Sequence, residues 1–234
     1  EGGAARQLTF YNSFGMMPPR GGYDNVVLDW TPDSKSILFR ANRTSFGERN
    51  GKYFTVSING GMEESLPIVN GGFATFSPDG KELCFTPVDR EFRTWKRYKG
   101  GRATELWRYN LTKNSSEQIT NWNGSDQWPT WYGDNIYYAS DRDTRLNIWS
   151  HNTATGEDTQ ITKHTDFDVM WPSGHNGKIV YENGGMLYVL NLQTGVTEKV
   201  TVSIKYDNPN LQASFKNVKD FVGSFSLSPT GKRA

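Results

Sequence analysis

The sequence predicts an all-β protein, specifically a β-propeller of four-stranded antiparallel blades, and three observations support this fold class. One phrase recurs along the chain, as WTPDSKSILF at 30–39, FSPDGKELCF at 76–85 and a shortened LSPTGKRA at 227–234. The composition is rich in turn and strand formers, with 24 Gly and 14% aromatic residues. No window shows the 3.6-residue apolar stripe of an amphipathic helix.

Each repeat divides into four short predicted strands. The first precedes the turn, as in GGFATF at 71–76, and the second follows it, as in KELCF at 81–85. The third alternates with a period of two, as in LYVL at 187–190, and the fourth is polar, as in SEQIT at 116–120. Pro presets φ in the intervening turns and Gly supplies positive φ, so the joins are encoded locally.

A tandem unit of about 40–45 residues with four strands is typical of a propeller blade. A single small sheet leaves both of its faces exposed to solvent, and radial stacking buries those faces against neighbouring sheets. The predicted blades span about 23–66, 71–120, 126–162 and 167–201. The third strands carry aromatic residues that are expected to fill the gaps between blades: Phe54, Trp107, Trp149 and Tyr188.

The two ends of the chain interrupt the repeat. GGAARQLT at 2–9 resembles the last strand of a preceding blade, and FVGSFSLSPTGKRA at 221–234 resembles the start of another unit. The sequence therefore predicts a propeller segment over 1–204, then a linker and the truncated start of a second propeller over 205–234. We expect a piece of a longer protein, whose open blade faces are covered by its missing residues or by neighbouring chains.

Composition and motifs argue against several classes of function. The 26 basic and 25 acidic residues nearly cancel, so no global charge favours nucleic acid, and no apolar stretch is long enough to predict a membrane span. The single Cys84 lies in an apolar run and is predicted to be buried and inert. No Cys/His metal spacing, phosphate loop or Gly-x-Ser-x-Gly elbow is present, and the three histidines fall in predicted turns. We predict no cofactor, no metal site and no catalytic residue.

Three long stretches, 71–107, 140–173 and 179–195, resemble tricorn-type proteases. Repeats with this sequence pattern also resemble those of TolB-like propellers. The tricorn resemblance implies a parent protein with a six-bladed propeller, a seven-bladed propeller, a PDZ-like domain and a serine peptidase core of the S41 type. This chain would be the larger part of the six-bladed propeller, with the nucleophile encoded elsewhere. The implied partners are peptides, the remaining parent domains and further copies of the chain. The compartment stays open between cytoplasmic and periplasmic or secreted.

The same resemblance implies that basic residues in the loop entering a blade meet the terminal carboxylate of a peptide. The matching stretch here, 16–30, holds the single Arg20 where the family has a pair. A guanidinium suits a carboxylate because the two groups form paired hydrogen bonds. The alternative is that Arg20 is an ordinary loop residue.

The densest basic segment, REFRTWKRYKGGR at 90–102, contains six basic residues, one acid and three aromatics. It is predicted to be a long loop between the second and third strands of its blade. Three interpretations are open: an ordered structural or interface loop, a wall of a peptide channel, or a nucleic-acid contact in which bases stack on the aromatics. The candidate peptide-binding residues in this loop are Arg93, Lys96 and Arg97.

The SDRD motif at 140–143 suggests either calcium binding by Asp141 and Asp143 or hydrogen bonding within a turn. We favour the second interpretation, with Asp141 accepting from turn amides and Arg142 pairing with a neighbouring blade. Three acidic residues that follow are likewise predicted to form hydrogen bonds within turns: Asp158, Asp166 and Asp168.

The sequence therefore supports a non-catalytic propeller of a tricorn-like serine peptidase, which gates or docks peptides and contributes domain or subunit contacts. The alternative is a stand-alone, TolB-like protein-binding scaffold. An enzyme in its own right has no support among the residues present.

Overall fold

A computed structural model describes residues 3–10, 25–43, 51–68, 70–88, 97–204, 213–221, 223–224 and 226–233. The chain divides into two compact units, residues 1–200 and 201–234. The described residues of the second unit contain one 3-10 turn, Lys219–Phe221, and no strand. In the described part of the chain, no helix has the length and apolar character needed to cross a membrane.

The first unit consists of four antiparallel sheets of four strands each in a propeller arrangement, which confirms the predicted fold class. Within each sheet the strands pair in chain order. Blade 1 is β1 (Val26–Trp30), β2 (Ser36–Ala41), β3 (Lys52–Ser57) and β4 (Glu64–Ser65). Blade 2 is β5 (Ala74–Phe76), β6 (Glu82–Phe85), β7 (Trp107–Asn110) and β8 (Ser115–Gln118). Blade 3 is β9 (Asp126–Tyr132), β10 (Asn135–Ser140), β11 (Asn147–Asn152) and β12 (Asp158–Gln160). Blade 4 is β13 (Val169–His175), β14 (Lys178–Asn183), β15 (Met186–Asn191) and β16 (Thr197–Lys199).

The recurring Pro-Asp phrase builds the same turn in the first two blades. Asp33 accepts hydrogen bonds from the Thr31 hydroxyl at 2.7 Å and the Lys35 amide at 3.1 Å. Asp79 accepts the equivalent pair, from a hydroxyl at 2.8 Å and an amide at 3.1 Å. These side-chain hydrogen bonds lower the pKa of both carboxyl groups. The phrase therefore recurs because it closes the turn between the first and second strand of a blade.

Apolar clusters fill the spaces between adjacent blades. Alternation along β10 sends Tyr137 into the cluster with blade 4 and Tyr138 into the cluster with blade 2, where it lies with the buried Cys84. The prediction that Cys84 is a buried free thiol is confirmed, and burial raises its pKa. Three of the third-strand aromatics pack on these clusters as predicted: Trp107, Trp149 and Tyr188.

The outer faces of the first and last blades differ. Phe39, Phe54 and neighbouring apolar residues form a buried cluster on blade 1, and Leu8 packs against it, although residues 3–10 form no strand. On blade 4, the face turned away from blade 3 keeps Val180 and Leu187 each 43% exposed. That face of the sheet is therefore apolar and half uncovered.

The two ends of the blades carry different connections. One end has short turns, for example between β9 and β10 and between β13 and β14. The opposite end, where each first strand begins, carries the longer segments, and we call it the loop-bearing end. Its described residues are 42–43, 51, 86–88, 97–106 and 141–146 inside blades, and 66–68, 70–73, 119–125 and 161–168 between blades.

Candidate functional site

The structure describes only one of the four residues predicted to bind peptides. Arg20, Arg93 and Lys96 lie outside the described residues. Arg97 is described, is exposed, and belongs to the segment between β6 and β7, as predicted. Its Nε donates a hydrogen bond of 3.1 Å to the carbonyl of Thr144, in the turn between β10 and β11. A loop of blade 2 therefore reaches across to blade 3.

The rest of this basic segment packs on the connection between blades 2 and 3. The Lys99 Nζ lies 5.8 Å from the centroid of the Trp122 ring, a cation–π contact. The Trp122 indole donates in turn to Asp141 at 2.8 Å. These contacts favour the interpretation of residues 97–99 as an ordered loop at a blade interface.

Asp141 has a different role from the predicted one. Its Oδ1 accepts hydrogen bonds from the Trp122 indole and from the backbone amide of Ser125, both at 2.8 Å. Both donors lie in the connection from β8 to β9, so the carboxylate does not bind amides of its own turn. Asp141 thereby anchors the entry to blade 3.

Arg142 is partly buried on blade 3 and pairs within its own sheet, an arrangement that we call a clamp. Its guanidinium lies 5.6 Å from the Tyr138 ring centroid and 5.3 Å from the Trp149 centroid. It donates to Asp126 at 2.9 Å and to Asp158 at 2.6 Å. The prediction that Arg142 pairs with a neighbouring blade is wrong, because its two carboxylate partners and the two aromatic rings beneath it all belong to blade 3.

The carboxylates around Arg142 are electrostatically coupled. Burial raises the pKa of Asp126, and the Arg142 charge opposes this shift. Burial also opposes ionisation of Asp158, but hydrogen bonds from His151 at 2.9 Å and from Arg142 outweigh it and lower the pKa of Asp158. Asp158 lies in β12 and His151 in β11, so the assignment of both to turns is wrong. These polar groups hold the inner and outer strands of the blade together.

The same clamp occurs on blade 1. The Arg43 guanidinium lies 5.8 Å from the Phe39 centroid and 5.7 Å from the Phe54 centroid, and it pairs with Glu63 at 2.7 Å. It also donates to Asn25 at 2.6 Å, in the place that Asp126 occupies on blade 3. In both blades an Asn-Arg or Asp-Arg pair directly follows the second strand. This shared pair was the signal in the sequence, and the sequence analysis did not relate its two occurrences.

Blade 4 replaces the arginine with a histidine. The His164 ring lies 5.7 Å from the Tyr181 centroid and 5.4 Å from the Tyr188 centroid. Its Nε2 lies 2.9 Å from the Tyr181 hydroxyl, and burial lowers the pKa of His164. A neutral ring at this position needs no counter-charge.

The sequence reasoning also missed a line of three aromatic side chains at the loop-bearing end, which we call the aromatic row: Phe73, Trp128 and Trp171. The Phe73 and Trp128 centroids are 5.9 Å apart, and the Trp128 and Trp171 centroids are 5.2 Å apart. Phe73 directly precedes β5, Trp128 lies in β9 and Trp171 in β13, so each ring comes from the first strand of a successive blade or from the residue directly before it. Trp128 is only 4% exposed, whereas Trp171 is 48% exposed.

Irregular strand pairing places the two tryptophans in the row. The pairing of β9 with β10 shifts register at Trp128, and that of β13 with β14 shifts at Trp171. Trp128 has φ 56° and Trp171 has φ 53°, a left-handed conformation that is rare for a bulky residue. Each tryptophan precedes a proline, which disfavours the right-handed helical region. The repeated Trp-Pro dipeptide was the signal available in the sequence.

Within the described ranges, no group of three or more His, Cys, Asp or Glu side chains is arranged to hold a metal ion. Asp143, one of the residues considered for calcium, accepts hydrogen bonds from the side-chain amides of Asn147 and Gln160. Asp168 accepts a hydrogen bond from the Leu146 amide at 3.1 Å.

Comparison of the sequence with protein families finds the tricorn protease N-terminal β-propeller domain, which matches residues 1–196. The tricorn protease homolog of Saccharolobus solfataricus is 23% identical over 222 residues, which are 95% of this chain and 20% of that protein. Tricorn protease homolog 1 of Streptomyces coelicolor is 26% identical over 243 residues, covering 99% of this chain and 21% of that protein. The chain therefore spans about a fifth of the length of these relatives.

Solved structures show the same fold. TolB from Acinetobacter baumannii matches with a TM-score of 0.60 at 22% identity, over 76% of this chain and 44% of TolB. The crystal structure of the tricorn protease matches with a TM-score of 0.50 at 18% identity, over 76% of this chain and 22% of that chain. At these identities the likeness establishes the propeller architecture alone.

Proposed function

The chain belongs to the family of tricorn protease N-terminal β-propeller domains, and on that basis we propose that it is a non-catalytic, peptide-docking part of a larger serine peptidase. The peptide would approach the loop-bearing end, and the S41-type catalytic core would lie elsewhere in the parent protein. The same end would contribute contacts to other domains or to further copies of the chain.

The observation that carries this proposal is the position of Arg97. The hydrogen bond from its Nε to Thr144 holds the guanidinium between blades 2 and 3. Its Nη groups have no hydrogen-bond partner among the described residues, and the side chain is exposed. A guanidinium held in this way, with both Nη groups unpaired among the described residues, suits the terminal carboxylate of a peptide.

Calorimetric titration of the 234-residue chain with pentaglycine tests this role. We expect pentaglycine with a free carboxylate to bind, and its C-terminally amidated form to bind about tenfold more weakly, the usual effect of losing a charge-assisted hydrogen bond. Arg97→Gln should remove the difference between the two peptides. Arg102→Gln is the matched control, because Arg102 is an exposed arginine of the same loop.

Two results would reject the proposal. One is the absence of heat change with either peptide at the highest attainable concentration. The other is equal affinity for the free and amidated peptides in the unmodified chain.

We further propose that residues 205–234 form a linker and the start of a second propeller, with 1–204 as the propeller segment. The reading frame downstream of Ala234 should then encode a second propeller, a PDZ-like domain and an S41 peptidase core. A stop codon soon after Ala234 would contradict this organisation. The TolB-like scaffold receives no separate support, because the 22% identity to TolB shows a shared fold alone.

A further inference from the structure

We propose that the aromatic row is a subsite for an aromatic or prolyl side chain of a peptide docked at the loop-bearing end. The inference rests on the proposed peptide docking and adds the class of side chain that is recognised. Four features of Phe73, Trp128 and Trp171 support it.

The first feature is the place of the row in the propeller. The first strands of successive blades contact one another around the axis, and they are tied by side chains such as Asp29, which accepts a hydrogen bond of 2.7 Å from the Thr75 hydroxyl. The outer edge of each first strand is paired with the second strand, so its other edge borders the axis. A bulge on that strand redirects its side chain away from the regular alternation. The tryptophans therefore lie on the strands nearest the axis of the blades, outside the regular alternation of those strands.

The second feature is the exposure of the terminal ring. Trp128 is enclosed by its two neighbours in the row, with interplanar angles of 70° to Phe73 and 47° to Trp171. Trp171 contacts Trp128 on one side and remains 48% exposed. Within the described residues, the row thus ends in an indole surface on which another ring can pack in the same tilted geometry.

The third feature is the backbone conformation. Two residues that lie in different blades share the left-handed conformation, the tryptophan side chain and the following proline. Bulky residues adopt this conformation at a cost in free energy, and such costs concentrate at ligand-binding sites. Filling the space between blades does not require this conformation. Trp149 packs between two blades from the regular strand β11.

The fourth feature is an unsatisfied donor. The Trp128 indole nitrogen is buried and has no hydrogen-bond acceptor among the described residues. Buried donors are nearly always paired in folded proteins. The Trp149 indole nitrogen in β11 is also buried and unpaired among the described residues, so this feature adds to the geometry of the row and does not by itself mark a binding group.

The Phe73 end of the row is already occupied. The Arg40 guanidinium carbon lies 5.9 Å from the centroid of Phe73, so a cation covers that part of the aromatic surface. The Trp171 end is the part left for a ligand side chain. The subsite is therefore expected to take phenylalanine, tyrosine, tryptophan or proline.

The test compares three peptides of equal length with free carboxylates: pentaglycine, and the variants with Phe or Lys at the central position. In calorimetric titrations of the whole 234-residue chain, we expect the Phe peptide to bind at least about fivefold more tightly than pentaglycine. The Lys peptide shows whether a cation replaces a ring on the indole surface, and the proposal requires it to bind less tightly than the Phe peptide. Trp171→Ala should abolish the preference for Phe, while Trp171→Phe should retain most of it.

Trp30→Ala is the matched control. Trp30 is 50% exposed and is also a first-strand residue, but it adjoins the short turn at the opposite end of its blade. Its replacement should leave the preference for Phe unchanged. If Trp171→Ala fails to fold, Trp171→Leu, which keeps an apolar side chain without a ring, should lose the preference instead.

The outcomes separate this inference from the proposed function. Failure of pentaglycine and of the Phe peptide to bind would reject peptide docking itself, and the subsite with it. Binding of pentaglycine with no preference for Phe in the unmodified chain would reject the subsite alone. An equal loss of the preference in the Trp30 and Trp171 variants would also overturn it, since the effect would then not be local to the row.

Discussion

At the scale of single residues, the structure shows how a propeller tolerates charge inside a blade. Arg142 and Arg43 each lie over a pair of aromatic rings, and each pairs with a carboxylate in or directly before the fourth strand of its blade. The Asp126 side chain on the inner strand is fully buried, and Arg142 is the cation that compensates it. A buried carboxylate without a partner is costly, so the clamp on blade 3 depends on both residues.

We expect Arg142→Met to lower the free energy of unfolding by about 3 kcal/mol, because it leaves Asp126 charged and unpaired. Urea denaturation followed by circular dichroism measures this value. Arg108→Met is the control, since Arg108 pairs with Glu117 on the surface of blade 2 and should contribute less than about 1 kcal/mol. Equal effects of the two substitutions would show that the Arg142 pairing contributes no more than a surface ion pair.

At the scale of strands, adjacent blades approach most closely at their first strands. A Cβ atom added to Gly174 in β13 would lie 2.2 Å from Cγ2 of Thr130 in β9. The backbone of blade 4 therefore packs directly on a side chain of blade 3. A glycine is required here for close approach, whereas turn glycines such as Gly80, with φ 72°, are required for their backbone conformation.

We expect Gly174→Ala to destabilise the chain by about 2 kcal/mol, since the added methyl group forces the two strands apart. Thr130→Ser removes the atom that the methyl group would meet, so the double variant should recover part of the loss. A thermal denaturation series of the two single variants and the double variant measures the coupling. Strictly additive effects would mean that the contact between β9 and β13 does not limit the packing.

At the scale of the whole first unit, the outer face of blade 4 is an apolar sheet face that is partly exposed. Val180 and Leu187 lie on this face and are each 43% exposed, whereas the alternate residues Ile179 and Tyr181 are buried against blade 3. Large exposed apolar faces favour association, so this surface is the one expected to contact other parts of the parent protein or another copy of the chain.

We expect the isolated chain to associate through this face, and the double substitution Val180→Lys with Leu187→Lys to reduce that association. Sedimentation velocity over a range of protein concentrations measures it. Met62→Lys is the control, because Met62 is 90% exposed but lies in a turn of blade 1. An unmodified chain that stays monomeric up to its solubility limit would contradict the expectation.

The sequence by itself determined the class of fold, because its signals act over a few residues. The Pro-Asp turns close through their own side chains, as at Asp79, and strands alternate as in β14 and β15, so the repeat and the blades were readable without the structure. The burial of Cys84 followed from its apolar neighbours in the same way. The location of the basic loop between β6 and β7 was equally accessible.

Only the tertiary structure decided which distant residues share a site. The partners of Arg142 lie 16 residues away on either side, and the rings of the aromatic row come from three blades. Their meeting depends on register shifts in β9 and β13 that turn Trp128 and Trp171 out of the regular alternation. Such shifts result from packing between whole sheets, whereas the patterns readable in a sequence report the preferences of neighbouring residues, and for this reason the row and the clamps became visible only in three dimensions.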